Sequence, residues 1–192
     1  MSDPAVHVLV FDGFADWEPS YALAQIRHTG AGQVVAVGLT QHPVRSMGGL
    51  SVVPDVTVEQ VAPEQVRIII LPGGDQWEST SMDPRLLELL ERCMAAGTPV
   101  AAICGATVGV AKAGLLQGRA HTSNGLEYLK AQVPDYISEN DYVDQLAVRD
   151  RGLITASGLG AVEFAREIFA ELGVFPEGEL ELWYRLFKYG PS

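Results

Sequence analysis

Short, predominantly apolar segments alternate along the chain with segments whose apolar residues recur at helical spacing. Three of the apolar segments, Val6–Phe11, Val66–Leu71 and Pro99–Ile103, have the length of strands and end at turn-forming or small residues. Strands that are apolar on both faces are typical of a parallel sheet covered by helices on both sides. The sequence therefore predicts an α/β fold with three layers, doubly wound around a mostly parallel sheet.

The remaining elements follow from the same two patterns. Helices are predicted over Asp16–His28, from Asp83 to Gly97, and over Thr107–Ala113, Gly160–Leu172 and Glu179–Tyr189, with a short one over Thr57–Val61. Further strands are predicted over Val34–Gly38, Ser51–Pro54, Leu146–Arg149 and Leu153–Ala156, the last two as a hairpin. Since no repeat or linker divides the sequence, we expect a single domain over residues 1–192, ending in an amphipathic helix over 179–189.

The charge balance bears on the partners of the protein. The 192 residues include 13 Lys and Arg against 24 Asp and Glu, which gives a formal net charge of −11. Such a charge repels phosphate backbones and anionic lipids, so we expect no nucleic-acid and no membrane partner. Two cysteines in a chain long enough to fold without disulfides favour a reducing compartment, and the first residues do not resemble a signal peptide. We therefore expect a cytoplasmic protein.

Cys104 lies between the predicted strand Pro99–Ile103 and the helix that follows it. The small residues Gly105 and Ala106 permit the sharp turn of a nucleophile elbow. The following helix directs free N–H groups and the positive end of its dipole toward the sulfur, so we expect the pKa of Cys104 to lie below that of a free cysteine. We interpret Cys104 as the reactive thiol, with a core cysteine as the alternative, and Cys93 as a core residue.

Ligands of such sheets bind at the carboxyl ends of the strands, where the segments after several strands meet. Gly73 and Gly74 end one central strand, so their N–H groups are candidates to bind a substrate oxygen, unless they only form a turn. Asp16 and Glu18 follow the first strand, where acidic residues also serve as helix caps. A carboxyl beside a thiolate would be pushed toward its protonated form and would be suited to proton transfer.

The chain resembles a known family, the superfamily named after the PfpI intracellular peptidases and the protein DJ-1. The resemblance rests on five segments in the same order, Phe11–Glu18, Ile70–Gly74, Ala102–Ala106, Ala113–Arg119 and Ser157–Phe164. It implies a flavodoxin-like fold with a cysteine at a nucleophile elbow. It also implies that Cys104 is the reactive cysteine, that Glu18 hydrogen-bonds it, and that the amides of Gly73 and Gly74 form part of an oxyanion site.

The sequence departs from the histidine patterns of that family. Peptidase-like members have a histidine directly after the cysteine, where this chain has Gly105, and other members have one at the position that matches Asn124. His121 is a weak candidate partner, because in extended backbone His121 and Asn124 face opposite ways and cannot both face the sulfur. We place Asn124 and Thr107 in the pocket and do not expect proteolysis.

Other chemistries find little support in the sequence. His7, His28 and His42 are not accompanied by acidic residues or cysteines at ligand spacing, so we expect no metal site. There is no glycine-rich loop of the phosphate-binding or dinucleotide-binding type, so we expect no cofactor.

Two functions remain. The first is a cysteine-dependent hydrolase, lyase or amidase-like activity, in which Cys104 attacks a small electrophilic carbon. Glu18 would move the proton, and the N–H groups of Gly74 and Gly105 would bind the oxyanion. Glyoxals and glycated adducts are the substrates that the resemblance implies. The alternative is a redox sensor that responds to stress by oxidation of Cys104 and needs no base.

The last predicted helix has a stripe of large apolar residues. Leu182, Trp183, Leu186 and Phe187 recur at a spacing of three to four. The stripe packs against the core of the chain or forms a partner surface. Since members of the family that the chain resembles are commonly dimeric, we expect a homodimer.

Overall fold

The computed structural model describes residues 3–79, 82–176 and 178–191. Within these residues a seven-stranded sheet forms the centre of the fold. Its strands are β1 (Ala5–Leu9), β2 (Val34–Gly38), β5 (Val56–Thr57), β6 (Val66–Leu71), β7 (Val100–Ile103), β8 (Ala147–Asp150) and β9 (Leu153–Ala156). They lie in the order β5-β2-β1-β6-β7-β9-β8, and every pairing is parallel except that of β8 with β9. The predicted α/β fold with a mostly parallel sheet is confirmed.

Helices cover both faces of this sheet. They are α1 (Trp17–Thr29), α2 (Pro84–Ala95), α3 (Ala106–Lys112), α4 (Leu126–Gln132), α5 (Ala161–Leu172) and α6 (Glu179–Tyr189). One core lies between the sheet and α2, α3 and α4, and a second lies between the sheet and α1, α5 and α6. Successive residues of a strand point to opposite faces, so Ile69 enters the first core while Ile68 and Ile70 enter the second. This alternation between two cores is why the strands are apolar throughout.

The strand order determines where the functional residues meet. β1, β6, β7 and β9 are consecutive in the sheet and run in the same direction, so their carboxyl ends lie side by side at one edge. The segments that leave these four ends carry Glu18, Gly73 with Gly74, Cys104 and Gly158.

Most predicted elements agree with the observed ones to within a few residues, including the hairpin of β8 with β9 and the C-terminal helix α6. The predicted strand Ser51–Pro54 is only β4 (Ser51–Val52), which pairs with β3 (Val44–Arg45) in a separate antiparallel ribbon. The predicted helix Thr57–Val61 is a single 3-10 turn over Val58–Gln60. Helix α4 was not predicted from the sequence.

A further structural observation concerns the lengths of the helices. Across the described residues, none of them combines the length and the apolar character needed to cross a lipid bilayer.

Candidate active site

Cys104 occupies a strained turn directly after β7. Its φ angle is 58°, in the left-handed region that residues other than glycine rarely adopt. The turn is held from both sides, because the N–H of Cys104 donates to the carbonyl of Ala156 at 2.9 Å and its own carbonyl accepts from the N–H of Thr107 at 3.1 Å. α3 begins two residues later, at Ala106. This is the geometry of a nucleophile elbow, and it leaves Cys104 only partly buried.

The side chain of Thr107 stabilises this turn. Its hydroxyl donates to the carbonyl of Cys104 at 2.6 Å, and Thr107 also shares a hydrogen bond of 2.6 Å with the hydroxyl of Ser123. Both side chains are buried. We therefore assign to Thr107 the role of holding the elbow, whereas the sequence analysis placed it in the pocket. The part played by Ser123 was missed.

Glu18 lies in the first turn of α1 with its side chain almost entirely inside the protein, at 1% exposure. The N–H of Gly73 donates to its Oε2 at 2.6 Å, and its carboxyl shares a hydrogen bond with the thiol of Cys104. Burial raises the pKa of Glu18 from 4.5 to about 7, although the two hydrogen bonds act in the opposite direction. The carboxyl is therefore close to half-protonated at neutral pH.

The pKa of Cys104 is raised above its ordinary value of 9.0, so the prediction of a lowered pKa was wrong. Burial of the sulfur is the main cause, and the charge of the Glu18 carboxylate adds to it. Hydrogen bonds from the Asn124 amide and the Gly105 N–H favour the thiolate but do not outweigh these effects. The terminus of α3 favours the charged form of the sulfur, but burial and the Glu18 carboxylate disfavour it more strongly.

The thiol and the carboxyl therefore titrate as a pair. When the pair holds one proton, the main form has a thiol beside the Glu18 carboxylate, and the same proton can move to Glu18 and leave a thiolate on Cys104. The arrangement supplies a base for the thiol within hydrogen-bond distance, which is what a cysteine without a histidine partner needs.

Asn124 also lies at the sulfur. Its Nδ2 donates to Sγ of Cys104 at 3.3 Å, and its Oδ1 accepts from the N–H of Gly158 at 2.9 Å. The residue is exposed. The Asn124 side chain thus lies between the sulfur of Cys104 and the backbone of Gly158.

Glycines keep the space around the sulfur open. A Cβ atom at Gly158 would lie 3.0 Å from Sγ of Cys104, and one at Gly73 would lie 2.7 Å from its Cβ. At Gly105, a Cβ would lie 3.0 Å from the carbonyl oxygen of Gly74 and 3.3 Å from the ring of Trp77. A Cβ at this position would therefore require its neighbours to shift by a few tenths of an ångström.

The two glycines after β6 have different roles. The N–H of Gly73 is used by Glu18, so Gly73 is not available as an oxyanion donor and that part of the prediction is wrong. No acceptor within the described residues is bonded to the N–H of Gly74, whose φ of 154° few residues other than glycine adopt. Gly74 thus keeps a free backbone donor at the same edge of the sheet.

His121 is committed to other partners. Its Nδ1 is 2.7 Å from the carbonyl oxygen of Arg119 and its Nε2 is 2.5 Å from the hydroxyl of Tyr136, and the side chain is fully buried. Neither ring nitrogen is left to take a proton from Cys104, so the weak prediction of a catalytic role is not supported.

Asp16 does not reach the sulfur either. Its Oδ2 accepts from the hydroxyl of Ser46 at 2.7 Å and its Oδ1 from the N–H of Gly48 at 3.3 Å. Its side chain makes no capping bond to α1, so the capping role expected from the sequence is also wrong. Asp16 instead attaches the segment between β3 and β4 to the start of α1.

Two more polar side chains, from different elements of the fold, lie near the site. Tyr128 on α4 and Glu78 after β6 contribute polar groups that the sequence analysis did not single out. Among the described residues, no three His, Cys, Asp or Glu side chains come together in a group that could hold a metal ion.

The fold and the site together define a class of protein: a doubly wound α/β domain with a cysteine at a nucleophile elbow and a buried glutamic acid beside it. The sequence profile of the DJ-1/PfpI family matches residues 4–171. A protein from Bacillus subtilis named uncharacterized protease YoaZ is 37% identical over 98% of this chain and 92% of its own length. The chain belongs to the DJ-1/PfpI family.

A solved structure agrees with this assignment. The thiJ/pfpI family protein from Bacillus anthracis has a TM-score of 0.91 and 36% identity, covering 100% of this chain and 93% of that one.

More distant relatives have different names. Deglycase TK1284 from Thermococcus kodakarensis is 28% identical over 67% of this chain and 82% of its own length. Glutathione-independent glyoxalase DJR-1.2 from Caenorhabditis elegans is 31% identical over 73% of each. The family thus includes relatives named protease, deglycase and glyoxalase.

Proposed function

We propose that this protein is a cysteine-dependent enzyme that acts on small carbonyl electrophiles, such as α-oxoaldehydes or the adducts they form. The observation that carries the proposal is the hydrogen-bonded pair of Cys104, at its elbow, and the buried Glu18. The relatives named deglycase and glyoxalase support the same substrate class.

In the proposed reaction the sulfur of Cys104 forms a bond to the aldehyde carbon, while the thiol proton passes to Glu18. The free N–H of Gly74 stabilises the oxyanion until Glu18 returns the proton to it, which gives a hemithioacetal. Glu18 then transfers a proton from this carbon to the neighbouring one, while the hydroxyl proton of the adduct passes to the neighbouring carbonyl oxygen, which becomes the new hydroxyl group; the adduct is thereby converted to a thioester. Water hydrolyses the thioester, releasing a 2-hydroxy acid and restoring the thiol.

The pKa of Glu18 suits both directions of proton transfer. A carboxyl with a pKa of about 7 is present in both forms at neutral pH, so it can act as base in one step and as acid in the next. A carboxyl with an ordinary pKa would be a weaker base toward a thiol whose own pKa is raised.

Peptide hydrolysis is a poorer fit. Neither nitrogen of His121 is free, and the residue that directly follows the cysteine is Gly105, which has no side chain to act as a base. Without a histidine, protonation of an amine leaving group would depend on Glu18 alone.

The test is the loss of methylglyoxal in the parent, Cys104→Ala and Glu18→Gln, with Cys93→Ala as the matched control. Cys93 is completely buried, so its variant should retain parent activity. We expect both site variants to lose at least about 100-fold, the effect typical of removing a positioned acid–base group. Equal rates in all four proteins would exclude the proposal.

A second candidate function is oxidation sensing by Cys104. The absence of a free histidine at the described site favours it, because oxidation needs no base for a leaving group. Mild peroxide followed by mass spectrometry tests it: Cys104 should be oxidised first, and earlier oxidation of Cys93 would rule it out.

We also propose that two copies of the chain associate through α6 and α1. Trp183 of the predicted stripe is buried, but Leu182, Leu186 and Phe187 remain 68%, 49% and 45% exposed. The ring of Phe187 contacts Tyr21 of α1, so the exposed surface is continuous between the two helices. Light scattering should give a dimer; a monomer at micromolar concentration would contradict this. We further propose that the protein resides in the reducing cytoplasm, because both of its cysteines are unpaired.

A further inference from the structure

Glu78 and Tyr128 meet beside the site although they are 50 residues apart in the sequence. Glu78 ends the 3-10 turn Asp75–Glu78 that follows β6, and Tyr128 lies on α4. The hydroxyl of Tyr128 donates to Oε1 of Glu78 at 3.0 Å. The reaction proposed above uses neither residue.

The second contact of Tyr128 links it to the sulfur. Its hydroxyl oxygen accepts a hydrogen bond from the side-chain amide of Asn124. The same amide donates to Sγ of Cys104 at 3.3 Å, and because an amide nitrogen has two hydrogens it can donate to both groups at once. Because Oδ1 of Asn124 accepts from the N–H of Gly158 at 2.9 Å, the whole amide group is engaged.

The direction of these bonds depends on Glu78. A tyrosine hydroxyl has one hydrogen, and when Glu78 accepts it the oxygen lone pairs are left for the Asn124 amide. Burial and the Glu78 carboxylate raise the pKa of Tyr128, so the hydroxyl stays protonated and continues to donate. Without this acceptor the hydroxyl is free to turn and donate to Oδ1 of a flipped amide. The flip gives up the bond from the N–H of Gly158 and places an oxygen instead of an N–H group against the sulfur.

We propose that Glu78 and Tyr128 are positioning residues that hold the Asn124 amide with its N–H toward Cys104 and thereby favour ionisation and reaction of the thiol. The inference rests on Cys104 being the reacting group of the proposed function. Glu78 and Tyr128 lie outside the pair of Cys104 and Glu18, and their effect is on the ionisation of the Cys104 thiol.

A merely structural role makes a different prediction. If the two side chains only attach the segment Asp75–Glu78 to α4, their removal lowers the free energy of unfolding and leaves the pH profile of the thiol unchanged. The pH dependence of Cys104 alkylation therefore separates the two interpretations.

The experiment measures alkylation of Cys104 by iodoacetamide from pH 6 to pH 10, with mass spectrometry to identify the site. The variants are Tyr128→Phe, Asn124→Ala and the double variant. The matched control is Tyr184→Phe, which removes a comparable hydroxyl bond of 2.8 Å, to Glu163. In the control we expect the parent profile.

We expect Tyr128→Phe to slow alkylation at pH 7.5 by about three- to tenfold, the usual effect of one hydrogen bond, and to move the profile to higher pH. Asn124→Ala should slow it at least as much. Because Tyr128 acts through Asn124, the double variant should be no slower than Asn124→Ala alone.

Variants of Glu78 add a test by conservative rescue. Glu78→Ala removes the acceptor of the Tyr128 hydroxyl and should resemble Tyr128→Phe. Glu78→Gln keeps an acceptor oxygen and should remain within about twofold of the parent.

An unchanged pH profile in Tyr128→Phe would overturn the inference, and so would effects that multiply in the double variant. These outcomes differ from a failure of the proposed function. A parent protein that does not consume methylglyoxal would exclude that substrate, while the alkylation profiles would still show whether Tyr128 acts on Cys104 through Asn124.

Discussion

Replacement of Glu18 by glutamine should remove a pH-dependent contribution to the free energy of unfolding. The direction and approximate magnitude of this contribution follow from the burial of Glu18. The side chain is 1% exposed, and burial raises its pKa from 4.5 to about 7. A raised pKa means that the folded state binds the proton more tightly than the unfolded state. The resulting stabilisation is fully present below pH 4.5 and is lost as the pH rises through 7.

The magnitude follows from the two pKa values. Each pKa unit corresponds to roughly 1.4 kcal/mol, so the full effect is on the order of 3 kcal/mol, and most of it falls between pH 5 and pH 8. Glu18→Gln has no ionisable group at this position and keeps an oxygen to accept from the N–H of Gly73. Relative to the parent, the variant should therefore gain on the order of 2 to 3 kcal/mol between pH 5 and pH 8.

The assay is urea unfolding at several pH values between 5 and 8, under reducing conditions. Glu127→Gln is the control, because the side chain of Glu127 is 86% exposed and the difference from the parent should stay constant with pH. A parent-minus-Glu18→Gln difference that is equally constant would refute the reasoning, since it would mean that Glu18 ionises in the folded protein as it does in water.

Three further predictions concern the site and the second cysteine. Gly158→Ala should slow alkylation of Cys104 by about tenfold or more, because its Cβ would lie 3.0 Å from Sγ; Gly32→Ala, whose Cβ has nothing closer than 3.6 Å, should react like the parent. Thr107→Val should lower the free energy of unfolding by about 1 to 3 kcal/mol in denaturant titrations, since two buried hydrogen bonds are lost; no loss would show that the elbow holds without them. Cys93, whose burial raises its pKa to about 11, should react with a thiol reagent only after unfolding; reaction in the native protein at the rate of Cys104 would contradict this.

The fold and the centre of the site could be predicted because they depend on local patterns. The turn at Cys104 combines an apolar strand, small residues and a helix in consecutive positions. Glu18 could be predicted because it follows the first predicted strand. In a parallel sheet, the carboxyl ends of the strands before Glu18 and Cys104 lie at the same edge.

The parts that were missed depend on which strands and helices are neighbours. β9 lies next to β7, so Gly158 flanks the sulfur, but the order of strands is not written in any local pattern. α4 has only seven residues, too few for a clear helical repeat, and with it Tyr128 was overlooked.

Electrostatics was the least predictable property. The sign expected for the pKa of Cys104 was wrong because burial and the Glu18 carboxylate arise from tertiary packing, while the helix terminus is visible in the sequence. His121 and Asp16 were candidates by residue type and position, and both are bound to other partners in the fold.

The most direct test of the account is the pH profile of Cys104 alkylation in the parent and in Glu18→Gln. If the two groups share a proton, the parent reacts in two steps, with a first rise near pH 7 as the pair loses its first proton and a second above pH 9. Glu18→Gln should lack the first rise and keep a single step. A first rise that persists in Glu18→Gln, or a parent profile with one step at the pKa of a free thiol, would contradict the pairing of Cys104 with Glu18.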